Sequence, residues 1–292
     1  MSGLTLLTGS NGRTGRAVLK SLVTAKIPVR AFIRDEAQAD DLLALGATET
    51  VVGNLDDSTS MQAALDGAQQ LLHIGPPMHA SEFEHVSTLI EGGKASGLKH
   101  FIYYSVMHPL AREIRHHRLK LDAEEAIIDS GLSFTILQPS RYMQHLEAIW
   151  SKVAGEGVHA MPFSTAQKFN VVDLVDLADA CAVVAGSDRF RYGTYELAGP
   201  EALSQQDMAA AISEIIGKPV RAEKVELLAM QDKARAAGAS DDRIEQMTIM
   251  NSHYDAHGFR SNPAVLELIL GRPATTFRAY VRRLSEEKGG GA

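Results

Sequence analysis

A glycine-rich turn directly after the first apolar run is the feature that most restricts the fold of this chain. The run Leu4–Thr8 leads into Gly9-Ser10-Asn11-Gly12-Arg13-Thr14-Gly15, and a helix-length amphipathic stretch follows. Glycine at Gly9 and Gly12 permits a close approach of the main chain to a phosphate, while Gly15 lets the helix pack tightly on the strand. An anion would then lie on free amides at the helix N-terminus. The pattern predicts a dinucleotide-binding turn, with a plain structural turn as the alternative.

Strand-like and helix-like segments alternate from this turn to about Pro139, which is typical of repeated βαβ units. The predicted strands are Leu4–Thr8, Val29–Ile33, Glu49–Val52, Gln70–Ile74, His100–Ser105 and Ser133–Leu137. The predicted helices are Arg13–Ala25, Ala37–Leu45, Ser58–Leu65, Ser81–Ser96 and Ile114–Asp129. Six parallel strands indicate an α/β fold with a doubly wound parallel Rossmann sheet.

The pattern becomes irregular after Pro139 and predicts a smaller C-terminal α+β cap. Helical stretches are expected near Leu174–Ala185, Gln206–Ile216, Leu227–Ala236 and Pro263–Leu270, with strands at Phe169–Val172 and Thr194–Leu197. We expect a Rossmann domain over residues 1–140, a cap over 141–287 that partly returns to the Rossmann core, and a disordered tail over 288–292. A cap above the carboxyl ends of the strands would complete a substrate cleft.

Composition excludes several other classes of protein. The 292 residues carry a net charge of −7, which argues against a nucleic-acid-binding protein. The single cysteine, Cys181, excludes an internal disulfide and a multi-thiolate metal site, and the histidine spacing shows no metal-binding motif. No apolar run approaches the ~20 residues of a membrane span, and no signal peptide precedes the glycine turn, so we expect a cytoplasmic location. The oligomeric state cannot be read from the sequence.

The end of the second predicted strand indicates which nicotinamide dinucleotide would bind. Arg34 directly follows the strand and Arg13 lies in the glycine turn, so two guanidinium groups could hold a 2′-phosphate. This favours NADP over NAD, and NADPH over NADH. The alternative is that Asp35 holds the ribose hydroxyls of NAD while Arg34 is merely solvated. The other expected contacts in the turn are Asn11 and Thr14.

Two further loops are candidates for the adenosine half of the cofactor. Asn54 and Leu55 follow the third strand and could line the adenine pocket, although Asp57 and Ser58 would also make good helix caps there. After the fourth strand, the backbone of Ile74, Gly75 and Pro76 would flank the ribose and pyrophosphate.

The fifth strand and the next helix bring together candidates for chemistry. The strand ends in Tyr103-Tyr104-Ser105, and the helix carries His116 and Lys120, which are four residues apart and share one face. Alternation along a strand puts Tyr103 and Ser105 on one face and Tyr104 on the other. As alternatives, Ser105 is a strand-end hydroxyl, Lys120 a solvated lysine and His116 a surface histidine.

At this point the chain resembles the NmrA-like branch of the atypical short-chain dehydrogenase/reductase superfamily, over nearly its whole length. The resemblance includes the Thr8-Gly9 turn, Ser105-Val106, Lys120 with Glu124, and the segments Thr135–Pro139, Val172–Ala178 and Leu197–Pro200. In the superfamily a serine and a Tyr-x-x-x-Lys pair carry proton transfer, and the lysine also holds the nicotinamide ribose. By position, this implies roles for Ser105 and Lys120 in catalysis and cofactor binding. His116 stands where the tyrosine should be, so proton donation by tyrosine is not implied.

The resemblance also implies contacts around the nicotinamide and the substrate. Pro139 and Ser140 would flank the nicotinamide ring, and Tyr142 and Met143 begin the cap. The residues expected to contact substrate are Tyr104, His108, Tyr142, Met143, Met161 and Phe163. His116, Tyr104 or a water could supply a proton.

A basic cluster beside these residues admits two interpretations. Its members are Arg112, Arg115, His116, His117, Arg118 and Lys120. It could be a solvated helix face paired with Glu113, Asp122 and Glu124, or it could attract an anionic aromatic substrate to the cleft.

The resemblance implies either a reductase or a regulator. NmrA-like reductases act on quinones, triphenylmethane dyes, azo dyes or plant benzylic ethers, whereas the regulators sense NADP without turnover. We expect an NADPH-dependent reductase that transfers hydride to an electrophilic conjugated or aromatic acceptor, such as an azo dye, a quinone or a triphenylmethane compound. The alternative is a non-catalytic NADP(H) sensor that binds a partner protein.

Overall fold

The structure is a computed structural model that describes residues 3–289. In chain order the strands are β1 (Thr5–Leu7), β2 (Val29–Ile33), β3 (Glu49–Val52), β4 (Gln70–Ile74), β5 (His100–Tyr104), β6 (Phe134–Pro139), β7 (Arg141–Tyr142), β8 (Val158–Met161), β9 (Phe169–Val172), β10 (Gly193–Leu197), β11 (Ala202–Leu203) and β12 (Arg221–Lys224).

The helices alternate with the first six strands and then dominate the C-terminal half. They are α1 (Arg13–Thr24), α2 (Ala39–Ala44), α3 (Ser58–Leu65), α4 (Glu82–Ser96), α5 (Arg115–Asp129), α6 (Trp150–Glu156), α7 (Leu174–Ala185), α8 (Gln205–Ile216), α9 (Leu227–Ala236), α10 (Asp241–His257), α11 (Ala264–Leu270) and α12 (Phe277–Gly289). Short 3-10 helices cover Glu36–Gln38, Met143–Ile149 and Asp188–Phe190.

The central sheet is parallel and has seven strands in the order β10-β6-β5-β4-β1-β2-β3. The strand order reverses between β1 and β4, because the chain crosses from β3 at one edge to β4 beside β1. Ligands of doubly wound sheets bind in the crevice that such a reversal opens at the carboxyl ends of the strands. The doubly wound parallel fold predicted from the sequence is therefore confirmed.

The prediction of six strands in this sheet was wrong by one. The seventh, β10, pairs with β6 in the register Leu197 to Pro139, although the sequence pattern placed it in the cap. As an edge strand it is only half-buried and lacks the continuous apolar run of the central strands. Helix α7 also returns to this domain and packs against α1.

Apart from α11, which packs on the central sheet, the remaining elements form a smaller C-terminal cap with its own apolar cluster beside the carboxyl ends of the strands. Its strands make two small sheets, β11-β9-β7 and β12-β8. Helix α10 was not predicted, because its buried positions include the polar residues Gln246 and Asn251 and so show no apolar periodicity. Helix α12 includes Lys288, which the sequence analysis assigned to the tail, and residues 290–292 lie outside the described part of the chain.

Each face of the central sheet packs on its own layer of helices. Leu7, Leu72 and Ile102 face α1, α7 and α11, whereas Leu6 and Phe101 face α3, α4 and α5. A third apolar cluster, centred on Trp150, Phe169 and Tyr254, forms the core of the cap. Burial of each such side chain contributes about 1.5–3 kcal/mol.

Within residues 3–289 no helix is both long and apolar enough for a membrane crossing.

Substitution of Gly15 tests the close packing of α1 on the glycine turn. A Cβ atom at Gly15 would lie 2.1 Å from the carbonyl oxygen of Gly9, so Gly15→Ala should lower the free energy of unfolding by about 1–3 kcal/mol. Urea unfolding followed by far-UV circular dichroism measures this. The control is Gly155→Ala in α6, where an added Cβ has open space and helix propensity favours alanine. Equal stability of wild type and Gly15→Ala would contradict the packing described here.

Candidate active site

The glycine-rich turn joins β1 to α1 at the carboxyl edge of the central sheet. Gly9 has a φ of +64°, in the left-handed region that favours glycine. The amide of Gly12 donates to the carbonyl oxygen of Gly9 over 3.0 Å, and no side chain of the described residues caps α1. The amides of the first turn of α1 are therefore available to an anion.

Two buried hydroxyl groups tie this turn to the neighbouring strands. Thr8 Oγ1 accepts a hydrogen bond from the amide of Ile74 over 3.0 Å and lies 2.8 Å from His73 Nδ1. Ser10 Oγ donates to the carbonyl oxygen of Phe32 over 2.7 Å. These hydrogen bonds fix the turn to β4 on one side and to β2 on the other, at the crevice where the strand order reverses.

The side chains after β2 differ in their partners. Asp35 accepts a hydrogen bond from the amide of Ala37 over 2.9 Å and caps the 3-10 helix there. Arg34 is exposed, and Arg13 donates to the carbonyl oxygen of Gln144 in the cap over 3.2 Å. Asp35 is therefore engaged within its own turn, whereas Arg34 faces the solvent.

The loop after β3 is organised as a turn and a helix cap. Asn54 Oδ1 accepts from the amide of Asp56 over 3.1 Å, and Asp57 accepts from the amide of Thr59 over 3.0 Å to cap α3. The capping role considered for Asp57 is therefore present. The side-chain oxygen of Asn54 has a partner within its own turn, and Leu55 packs half-buried against the core.

Lys120 forms a buried ion pair with Glu82. Its Nζ lies 2.6 Å from Glu82 Oε1 and also donates to the carbonyl oxygen of Tyr104 over 3.2 Å. The hydroxyl of Tyr103 donates to the same Glu82 oxygen over 2.6 Å, and its ring centroid lies 4.9 Å from the ammonium. The alternative of a solvated lysine at position 120 is thus wrong, because α4 and β5 enclose its charge.

Charges near Glu82 keep its carboxyl group ionised. Burial acts to raise the pKa of Glu82, but Lys120 and the other neighbouring donors outweigh it and bring the pKa to about 2. The ring of His73 stacks on Tyr103 with centroids 5.9 Å apart, and His73 also contacts Thr8. One buried polar network therefore runs from the glycine turn to the strand ends that carry the candidate catalytic groups. Its members are Thr8, His73, Tyr103, Glu82 and Lys120.

Ser105 belongs to a second buried group on the same face of the sheet. Its hydroxyl donates to Glu124 of α5, and the amide of Gln138 on β6 donates to both Glu124 oxygens over 3.0 and 2.8 Å. Burial raises the pKa of Glu124 above its ordinary value, against the effect of these donors. Ser105 is therefore anchored in a network and is more than a strand-end hydroxyl.

His116 lies half-buried on α5, one turn before Lys120. Burial, with the nearby Lys120 charge, lowers the pKa of His116 to about 3. Its neighbour His117 is fully buried and bonds through Nδ1 to the carbonyl oxygen of His108 over 2.9 Å. At neutral pH the folded protein therefore favours the uncharged imidazole at His116.

The hydroxyl of Tyr104 lies on the opposite face of the sheet from Ser105, as strand alternation predicts. It is buried and accepts a hydrogen bond from the hydroxyl of Tyr142 over 3.0 Å. Tyr142 stacks on His145, with ring centroids 5.6 Å apart. The structure thus brings Ser105 and Lys120 to one face and separates the hydroxyl of Tyr104 from them.

Comparison with known proteins shows the family of this chain. The model of the NmrA-like family matches residues 1–279. The chain belongs to the NmrA-like family. It is 26% identical over 278 residues to an NAD(P)H azoreductase of Xenophilus azovorans, with 95% of this chain and 96% of that protein covered. It is 25% identical over 285 residues to quinone oxidoreductase 2 of Escherichia coli, with 95% and 97% covered.

A solved structure shares the fold of this NmrA-like chain. The crystal structure of the Escherichia coli NADPH-dependent quinone oxidoreductase in complex with NADPH superposes with a TM-score of 0.85. The two chains are 24% identical, and the superposition covers 96% of this chain and 99% of the other.

The remaining predicted contacts fall into exposed, half-buried and buried groups. On the cofactor side, Asn11 is exposed and accepts a hydrogen bond from Arg16, while Thr14, Gly75 and Pro76 are half-buried. Ile74, Pro139 and Ser140 are buried, and the Ser140 hydroxyl donates to the carbonyl oxygen of Asn170. On the substrate side, Met143 and Phe163 are buried in the core of the cap, whereas Met161, Tyr142 and His108 are half-buried.

The basic cluster does not form one continuous patch. Lys120 is buried against Glu82, and His117 is buried against the backbone of His108. Arg115 pairs with Asp242 on α10. Only part of the positive charge counted in the sequence is therefore presented at the surface of α5.

Sequence analysis missed Glu82, which is the partner of Lys120. Glu82 follows Gly75 and Pro76 and opens α4, where an acidic residue is ordinarily explained by the helix dipole. Its proximity to the end of β4 is visible only in the fold, since a Cβ at Gly75 would lie 2.7 Å from Glu82 Oε2. The role of Gln138 was missed for the same reason.

Removing the charge of Glu82 should destabilise the protein strongly. Glu82→Gln leaves the Lys120 ammonium buried without its counter-charge, so the free energy of unfolding should fall by about 3–5 kcal/mol. The measurement is urea unfolding at neutral pH. Glu84→Gln, an exposed position on the same helix, should change the stability little. A loss of less than about 1 kcal/mol for Glu82→Gln, as for a surface pair, would contradict the ion pair.

His73 should make the protein less stable in mild acid. Burial lowers the pKa of His73 from its ordinary 6.5 to about 3, so below about pH 6.5 the unfolded chain binds a proton that the folded protein excludes. Between about pH 7.5 and pH 5, wild type should lose about 2 kcal/mol more stability than His73→Gln does. Urea unfolding at each pH tests this. His257→Gln, at an exposed histidine, is the control, and identical pH slopes for wild type and His73→Gln would refute the assignment.

Proposed function

We propose that this NmrA-like chain is an NADPH-dependent oxidoreductase that transfers hydride to an electrophilic conjugated or aromatic acceptor, of the azo or quinone class. The observation that carries the proposal is the placement of the buried Lys120 charge and Ser105 on one face of the sheet, beside a glycine cradle. The two relatives that match over nearly the whole chain, an azoreductase and a quinone oxidoreductase, support this class of acceptor.

The residues of the crevice fit a phosphate-bearing dinucleotide. A Cβ at Gly15 would clash with the carbonyl oxygen of Gly9, so only glycine lets α1 pack this closely on the turn. The N-terminus of α1 has no side-chain cap and can offer its amides to the pyrophosphate. Arg34, exposed after β2, would meet a 2′-phosphate with a charge-assisted hydrogen bond.

The protein's own groups act by positioning and by charge. When bound, NADPH supplies the hydride, and that chemistry belongs to the cofactor. Lys120, held by Glu82 and the Tyr104 carbonyl, would act by position and hold the nicotinamide ribose, the role that the family resemblance implies for it. Neutral His116 can donate an N–H hydrogen bond. An azo or quinone acceptor delocalises the charge it gains, so a strong acid in the tyrosine position is unnecessary.

A panel of acceptors tests this function. The purified protein is incubated with NADPH and a series of quinones, azo dyes and triphenylmethane dyes, and the loss of nicotinamide absorbance is followed. We expect steady turnover with at least one acceptor class. Tight NADPH binding without turnover of any acceptor would instead support the non-catalytic NADP(H) sensor. The histidine at position 116, where the superfamily has its tyrosine, favours that alternative.

Arg34→Asp tests the choice of dinucleotide. Loss of the contact to the 2′-phosphate should weaken NADPH binding by about 1–3 kcal/mol and leave NADH binding nearly unchanged. Isothermal titration calorimetry measures both affinities. Lys20→Asp, an exposed cation on α1, serves as the control for general charge effects. Equal affinities for NADH and NADPH, before and after the substitution, would exclude this role of Arg34.

A further inference from the structure

A pocket of about 550 Å³ lies between the loop after β5, strand β9 and the segment that follows α10. Its volume is in the range of small-molecule sites. The lining residues on which the argument depends are His108, Asn170, His253, His257, Arg260 and Ser261. No part of the proposed dinucleotide cradle contributes to this lining, so the pocket is separate from the cradle.

The pocket shares its walls with the candidate active site. His108 is the third residue after Ser105, and its carbonyl oxygen accepts a hydrogen bond from His117 of α5. Glu196, which contacts His108 and Ser261, lies beside Gln138 in the register of β10 and β6. A ligand in the pocket would therefore lie next to the strand ends that carry Ser105 and Gln138.

Cationic and imidazole groups dominate the polar lining. His253 and His257 are one turn apart on α10 with ring centroids 4.6 Å apart, and His253 Nδ1 is buried without a hydrogen-bond partner among the described residues. Of the two nearby carboxylates, Glu196 accepts a hydrogen bond from Ser261 and lies 3.7 Å from His108, and the exposed Glu113 lies 3.9 Å from His253, beyond hydrogen-bond distance.

Arg260 supplies a permanent positive charge to this pocket. Its side chain is exposed, and none of the ion pairs formed within residues 3–289 includes it. The described histidines and carboxylates do not come together as a metal site either. A guanidinium group beside imidazole N–H groups suits an oxyanion, which accepts hydrogen bonds from both.

We propose that this histidine-lined pocket binds the carboxylate, sulfonate or phosphate group of the acceptor, with Arg260 as its anchor. The proposal rests on the proposed reductase function and assigns the recognition of substrate charge to the end of α10. The basic cluster on α5 is less suited to that role, because Lys120 is neutralised by Glu82 and Arg115 is paired with Asp242.

A matched pair of azo acceptors tests the proposal. Methyl red carries a carboxylate, and its methyl ester presents the same azo system without that charge. In Arg260→Gln, KM for methyl red should rise about tenfold while KM for the ester stays the same. Arg260→Lys should retain much of the preference. Arg282→Gln, at an exposed arginine on α12, should change neither KM.

Calorimetry separates this inference from the reductase function. Methyl red and its ester are titrated into the NADP-saturated wild type, Arg260→Gln and His257→Asn, each first checked for a cooperative thermal transition. Stronger binding of methyl red than of its ester, lost in both variants, supports the pocket even if no dye is turned over. If both dyes are turned over but Arg260→Gln changes KM for both of them, or for neither, the proposed pocket is wrong and the reductase function is still supported. Failure of wild type to bind methyl red would also overturn it.

Discussion

The arrangement of the candidate catalytic groups at the strand ends depends on the ion pair between Lys120 and Glu82. It joins α5 to α4, and through Tyr103 and the Tyr104 carbonyl it joins both helices to β5. Two opposite charges buried together are stable only while each keeps its partner and its hydrogen bonds. The helix layer on this face is therefore positioned by polar geometry as well as by apolar packing, at the place where the sheet presents its candidate catalytic groups.

The same network extends to the cofactor side of the crevice. Thr8 precedes the glycine turn and contacts both His73 and the amide of Ile74, while His73 stacks on Tyr103 beside Glu82. The turns after β1 and β4, which border the crevice, are thus coupled to the environment of Lys120.

Local patterns predicted the parts of the fold that depend on local physics. Short runs rich in apolar residues predicted β2 and β4 at their observed bounds, and alternation placed Tyr103 and Tyr104 on opposite faces. Strand β10 was predicted at Thr194–Leu197, but its place in the central sheet depends on its tertiary pairing with β6. The polar-faced helix α10 carries no such pattern, and only tertiary contacts define it. The site divides in the same way. Ser105 and Lys120 could be predicted from position, but Glu82 reaches Lys120 from 38 residues away in the chain, and no spacing rule indicates that contact.

The two cations near this edge of the sheet, Lys120 and Arg260, lie in different environments. The ammonium of Lys120 is enclosed and matched by Glu82, so it contributes a fixed local field but little long-range attraction. His116 adds no charge at neutral pH, because burial lowers its pKa to about 3. Arg260 is exposed, so its guanidinium faces the solvent. In a chain whose net charge is −7, the proposed selection of an anionic acceptor depends on this local, solvent-facing cation, whereas the enclosed ammonium would act only on groups next to it.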